Sequence, residues 1–240
     1  MFSPVTRFGL QKMTLLDFPD KVACTVFSPG CNFRCPFCHN ASIVLAEEEE
    51  NGLFSRNEIL DFLRKRSGIL DGVALTGGEP LLHEEIMDFI EEIKSLGFLL
   101  KLDTNGSFPD RLRNAVEKKL VDYVAVDIKN SPEKYGRTGG FENPRLLENV
   151  KESVSFLLHG TVPYEFRTTV VKGFHEAEDF DKIGQWISGC SKYYLQKFTD
   201  SGNLIEKRTQ LEAVGDDEMR RYLQIVRKYV PKAELRGMEE

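Results

Sequence analysis

The chain has 240 residues, 41% hydrophobic and 29% charged, the balance of a soluble globular protein with room for one well-buried core. A net charge of −6 argues against a nucleic-acid partner, because phosphate binding asks for a basic surface. No apolar run reaches the ~18 residues of a membrane span and the N-terminus lacks a basic-then-apolar leader, so the cytoplasm is the expected location.

In chain order, runs rich in Val, Leu, Phe, Tyr and Thr predict strands over 21–27, 72–76, 98–104, 123–129, 164–171 and 192–198. Helical periodicity covers 55–67, 83–96, 144–158 and 176–187, and a last helix starts near Asp216-Asp217, whose charges suit its N-terminal end. Ser55 and Glu58 have capping-box spacing ahead of Ile59, Leu60 and Leu63. The acidic run 47–50, before Asn51-Gly52, reads as a solvated loop. Alternating strands and helices imply parallel βα units, and about six of them predict a partial (β/α)6-type TIM-like barrel spanning 1–240 as one domain.

Three of the five cysteines lie within eight positions, as Cys31-Asn-Phe-Arg-Cys35-Pro-Phe-Cys38-His39-Asn40. An odd count in a chain of this size does not suggest a disulfide framework, so the cluster asks for a metal or a redox role. A structural zinc would need a fourth ligand, and His39 abuts Cys38, where one tetrahedral ion is hard for both to reach. A ferredoxin-type cluster needs four cysteines, and the spares are Cys24, inside a strand, and the distant Cys190. Three thiolates on an iron–sulfur cluster leave one iron open, and an open metal position is where chemistry happens.

Other strand ends carry polar groups. After 72–76 comes Gly77-Gly78-Glu79-Pro80, where glycines let backbone approach a ligand and Glu79 can accept from an ammonium. The next strands end in Asp103-Thr104 and Asp127-Ile-Lys129, with Asp127 and Lys129 on one side by strand alternation. These groups suit a zwitterion, a ribose or a cation; a salt-bridged rim is the alternative. Barrel enzymes place their sites at such C-terminal strand ends. Arg167 faces either a ligand or an ion-pair partner, His175 reads as a surface loop residue, Gln196 has no assigned role, and Trp186, Cys24 and Cys190 read as packing residues.

The C-x-x-x-C-x-x-C spacing, with Phe37 before its last cysteine, resembles the radical S-adenosylmethionine superfamily. That resemblance implies a [4Fe–4S] cluster on Cys31, Cys35 and Cys38, with the open iron chelating the methionyl amine and carboxylate of S-adenosylmethionine. One-electron reduction would then give methionine and a 5′-deoxyadenosyl radical. It further implies that Gly77, Gly78 and Glu79 hold the methionyl amine and that Phe37 lies near adenine. Asp103, Asp127 and Lys129 match cofactor-binding positions of glycyl-radical activases, where Asp103, Thr104 and Asp127 would also hold a monovalent cation. Cys38-His39-Asn40 resembles activases that install glycyl radicals, and the stretch Met13-Thr-Leu-Leu-Asp17-Phe-Pro19, leading into Phe27-Ser-Pro-Gly-Cys31, resembles the activating proteins of anaerobic ribonucleoside-triphosphate reductase, which implies that reductase as protein substrate and a flavodoxin or ferredoxin as electron donor. Related activases of pyruvate formate-lyase carry a cofactor-binding histidine near the position of Phe198, which this chain lacks. The alternatives are a radical enzyme acting on a small molecule or modified nucleoside, and a non-catalytic iron–sulfur or zinc module.

Overall fold

The computed structural model describes residues 7–45, 53–160, 162–200, 202, 204–206 and 210–238. The acidic run 47–50 and Asn51-Gly52 lie outside the described residues. The chain divides into two compact units: Met1–Asn32, Ser42–Thr104 and Phe108–Val124 form one, and Phe33–Ala41, Asn105–Ser107 and Ala125–Glu240 form the other.

The first unit holds β1 (Arg7–Thr14), β2 (Ala23–Ser28), β3 (Phe54–Ser55), β4 (Gly72–Gly77) and β5 (Leu99–Thr104), in the order β3-β1-β2-β4-β5. β2, β4 and β5 run parallel, whereas β1 pairs antiparallel with both β2 and β3. Their helices are α1 (Ala41–Leu45), α2 (Arg56–Arg64), α3 (Ile86–Ser95) and α4 (Pro109–Glu117). β2 and β4 are almost continuously buried, the pattern of parallel strands covered on both faces. Ile59, Leu60 and Leu63 of α2 and Phe89, Ile90 and Ile93 of α3 are buried core residues. The expected capping box forms, with the Ser55 side chain accepting from the Glu58 N–H and Glu58 accepting from the Ser55 N–H.

β6 (Tyr123–Asp127) leads into the second unit, which continues with α5 (Tyr135–Gly139), α6 (Pro144–Leu158), β7 (Tyr164–Val170), α7 (Ala177–Trp186), β8 (Tyr193–Lys197), α8 (Asp216–Val226) and β9 (Glu234–Arg236). Strand order here is β6-β7-β8-β9, with β7, β8 and β9 parallel. Phe166, Phe180, Tyr193, Leu195, Met219 and Val226 are buried core residues of this unit.

The six expected strands correspond to β2, β4, β5, β6, β7 and β8. Most ends shift by one to three residues, and two of these shifts bear on the site. β6 ends at Asp127, so Lys129 lies beyond the strand, and the helix expected from 83 begins at Ile86, behind a 3-10 turn at Pro80–Leu82.

Candidate functional site

Within the first unit, β2 and β4 are in register with Ser28 opposite Gly77, so their C-terminal ends are level. The chain leaves β2 through Pro29-Gly30 into Cys31 and leaves β4 through Gly78-Glu79. The Gly78 N–H donates to the Ser28 carbonyl and the Glu79 N–H to the Gly30 carbonyl, both at 2.8 Å. His83 donates from Nε2 to the Pro29 carbonyl at 3.0 Å. The carbonyls of all three residues ahead of Cys31 are therefore held. Gly77 has a φ of +117°, and a Cβ on Gly78 would stand 1.8 Å from the Gly30 oxygen. The close approach that requires these glycines is thus to the chain's own backbone, a role the reading for a ligand did not include.

Glu79 is fully buried, at 0% exposure. Its Oε1 accepts from the Leu81 N–H at 3.0 Å and from the Thr104 hydroxyl at 2.8 Å. At the end of β5, Asp103 forms an ion pair with Lys101, which is only 2% exposed. Strand alternation puts both on one face.

In the second unit the cysteine loop is anchored by backbone and rings. The Arg34 N–H donates to the Gly139 carbonyl at 2.8 Å, and the Glu206 N–H donates to the Pro36 carbonyl at 3.0 Å. Phe33 is buried against Phe141 and Tyr135, with ring centroids 4.6 and 6.5 Å away. Phe37 packs in a buried cluster with Val171, Phe198 and Leu204. His39 stacks on Phe198 at 5.6 Å. Cys35 is buried and Cys38 half-buried, as is Cys31 in the first unit; none is in a disulfide. Burial pushes the Cys35 thiol up to about 11, and the Lys129 ammonium partly offsets this.

At the end of β6, Asp127 receives Arg167 Nε at 3.0 Å and Lys129 Nζ at 3.1 Å, one cation on each carboxylate oxygen. Burial alone would raise this carboxyl; Arg167 and Lys129 outweigh it and hold the group well below the usual carboxylate range. For Lys129, burial works against the charge, but the Asp127 carboxylate outweighs it and holds the ammonium above its ordinary value. Asp127 and Lys129 therefore meet although only one lies in the strand. Arg167 forms the ion pair, the second of its two expected alternatives. His175 corrects the surface reading: it is 2% exposed, with both ring nitrogens hydrogen-bonded. Gln196 is half-buried on β8, opposite Thr169 and Arg236. Cys24 and Cys190 are buried and their thiols pushed up to about 12, as expected of inert packing residues.

Sequence reasoning missed Lys101, His83 and Tyr135. The i, i+2 spacing from Lys101 to Asp103 was a usable signal; nothing local marked His83 or Tyr135, whose hydroxyl donates to the Asp127 carbonyl at 3.2 Å.

The donor set suits an iron–sulfur cluster. Three thiols, none in a disulfide, share one short loop fixed by backbone bonds, with a cationic Lys129 near two of them. A buried thiol with a raised pKa is deprotonated outright on binding a metal. Ser28 Oγ, fully buried three residues ahead of Cys31, has no hydrogen-bond partner among the described residues.

A family model described as the radical SAM superfamily matches residues 25–185. The chain belongs to that superfamily and is a radical S-adenosylmethionine enzyme with its largely parallel α/β fold. Membership implies a [4Fe–4S] cluster and S-adenosylmethionine as cofactors. Among similar proteins, one from Methanocaldococcus jannaschii, named by inference as a glycyl-radical enzyme activating enzyme, is 28% identical over 95% of this chain and 94% of its own length. The GTP 3′,8-cyclase of Alkaliphilus oremlandii is 29% identical over 64% of this chain, which spans 49% of that protein. Among solved structures, Streptococcus suis SuiB bound to S-adenosylmethionine shares the fold with a TM-score of 0.67 at 12% identity, over 88% of this chain and 49% of SuiB. Among the described residues no helix is long and apolar enough to cross a membrane.

Proposed function

We propose that this chain activates a glycyl-radical enzyme by removing one Cα hydrogen from a glycine of that partner, with anaerobic ribonucleoside-triphosphate reductase as the partner. The observation that carries this reading is the end-to-end likeness to the M. jannaschii protein, where the cyclase match covers only part of each chain. The stretch at 13–19 and the run Cys38-His39-Asn40 support it.

Cys31, Cys35 and Cys38 would hold the cluster and leave one iron for S-adenosylmethionine, and on one-electron reduction the bound pair supplies a carbon radical able to take a hydrogen atom. Gly77, Gly78 and Glu79 would hold the methionyl amine, and Asp103, Asp127 and Lys129 the remaining polar groups. Phe37 would face adenine, and Asp103, Thr104 and Asp127 would hold a monovalent cation. Because hydrogen leaves glycine as an atom, no protein base is required, and these residues bind and orient. Glycine suits the reaction because its radical is delocalised between amide nitrogen and carbonyl and no side chain obstructs approach. A flavodoxin or ferredoxin would deliver the electron. We read 1–240 as one functional domain, since the superfamily model's match at 25–185 takes in residues of both compact units.

The test is anaerobic reconstitution followed by reduction with S-adenosylmethionine and a cognate reductase. The reading expects about four irons and four sulfides per chain, as a [4Fe–4S] cluster requires, with 5′-deoxyadenosine and a glycyl EPR signal on the partner. Cys35→Ala should lose both products. A second reading, a nucleotide substrate, is favoured by the cyclase likeness; turnover stimulated by GTP and indifferent to any glycyl-radical enzyme would establish it instead.

A further inference from the structure

The loop after β7 carries a histidine that no part of the proposed reaction uses. His175 is buried, and its ring is bonded on both sides. Nδ1 lies 3.1 Å from the Val171 nitrogen and 3.3 Å from the Val171 carbonyl oxygen; the shorter contact, in which the Val171 N–H donates, gives Nδ1 a lone pair. The proton then sits on Nε2, which donates to the Lys129 carbonyl at 2.8 Å. The next residue repeats the connection in reverse, with Asn130 Nδ2 donating to the Phe174 carbonyl at 2.9 Å. Residues 129–130 and 174–175 are thus laced together by side chain to backbone.

The same two loop residues also face the cysteine loop. Phe37, between Cys35 and Cys38, meets the Phe174 ring edge-on at 5.6 Å and the His175 ring at 6.3 Å. Phe180 closes the ring's other surroundings at 5.9 Å. One imidazole therefore connects three segments: the end of β7 through Val171, the backbone that carries the Lys129 ammonium, and the aromatic residue inside the cysteine motif. Only imidazole offers an acceptor, a donor on the far side and an aromatic surface in one rigid unit. A purely apolar ring here would leave the Val171 N–H and the Lys129 carbonyl without this partner in a buried place, which is costly.

We propose that His175, as the neutral Nε2–H tautomer, is a positioning residue that sets Lys129 and Phe37 for S-adenosylmethionine. It touches no cofactor itself; it acts through the Lys129 backbone and the Phe37 ring. This rests on the reading of Lys129 as a cofactor-binding residue. Burial pushes its titration below the ordinary histidine value, against smaller upward pulls from the Lys129 and Val171 carbonyls, which keeps the ring neutral at physiological pH.

Two measurements test this. In the apo protein, ¹⁵N-histidine NMR has four histidines to resolve; one should show the Nε2–H tautomer unchanged from pH 6 to 8, and should be missing in His175→Phe. A His175 signal that is imidazolium at pH 7, or protonated on Nδ1, overturns the proposal. In reconstituted protein, the KM for S-adenosylmethionine in reductive cleavage without a partner separates positioning from folding. His175→Phe, which keeps the ring and loses both bonds, should load iron as the parent does and raise that KM about tenfold. His175→Gln keeps a donor for the Lys129 carbonyl and should recover most of the loss; it also carries the test if the phenylalanine variant does not fold. A His175→Phe protein with parental KM and only a lower melting temperature overturns the proposal. Lys129→Met is the control: an unchanged KM there overturns the underlying assignment of Lys129, whereas a raised KM there with a parental value in His175→Phe overturns the role of His175 alone.

Discussion

The two compact units hold their candidate site residues by different physics. In the first, the end of β4 lies against the residues ahead of Cys31 through backbone bonds, and what makes the approach feasible is the lack of a Cβ at Gly78. In the second, the end of β6 is held by balanced charge, with Arg167 and Lys129 sharing the two oxygens of Asp127. Geometry of the first kind is insensitive to pH and unforgiving of a single added carbon. Geometry of the second kind is graded: each partner can be removed at a finite cost, and acid weakens it.

Substitutions should expose that difference. The largest effect belongs to Gly78→Ala, whose methyl would overlap the Gly30 oxygen at 1.8 Å with backbone on both sides. It should cost more than about 4 kcal/mol, a loss reserved for severe packing or strain defects, and abolish iron loading, as urea unfolding and metal analysis would show. A loaded, stable Gly78→Ala protein would refute the backbone account. Asp127→Asn comes next. It leaves Lys129 and Arg167 without their shared countercharge, and because Asp127 is partly exposed the loss should be about 1–3 kcal/mol, with the protein still folded. Its KM for S-adenosylmethionine should rise with the disturbed Lys129.

The smallest effect lies at Asp179, in the first turn of α7. Burial would raise its pKa, but hydrogen bonds from Lys134, Ser131 and the Glu176 N–H overcome that and hold it below the ordinary value. Its stabilisation is therefore fully present above the unfolded carboxyl pKa near ~4 and fades as pH falls through the lower folded value. Asp179→Asn should lower stability by about 1 kcal/mol at pH 7, and the gap to the parent should close below pH ~4. Unfolding curves at several pH values would show it; a gap that widens in acid would reverse the sign.

Much of this was legible before folding. The buried parallel strands announce themselves as unbroken Val, Ala and Leu runs, and the polar groups at their ends fall where such strands present them. β1 was not legible, because RFGLQKMT has a glycine and a polar stretch and is exposed along part of its length. α4 was missed for a similar reason, its buried side chains being Pro109, Leu112 and Ala115 only. At the site, the glycine pair and Glu79 were visible as a motif, but their tight contact with residues 28–30 depends on the register of β2 with β4. His175 was misread because burial of a loop is decided by the elements that close over it, Phe180 of α7 and Tyr222 of α8 among them, and not by the loop's own composition.

The account's central claim is that a radical made at the three-cysteine site takes hydrogen from a protein glycine. Deuterium transfer tests it most directly. The reconstituted enzyme is reduced with S-adenosylmethionine and an anaerobic ribonucleoside-triphosphate reductase whose glycines carry deuterium at Cα, and the 5′-deoxyadenosine is analysed by mass spectrometry. Deuterium in the 5′-deoxyadenosine, matched by a glycyl EPR signal on the reductase, is the predicted result; vigorous cofactor cleavage with no deuterium in the product and no glycyl signal would contradict it.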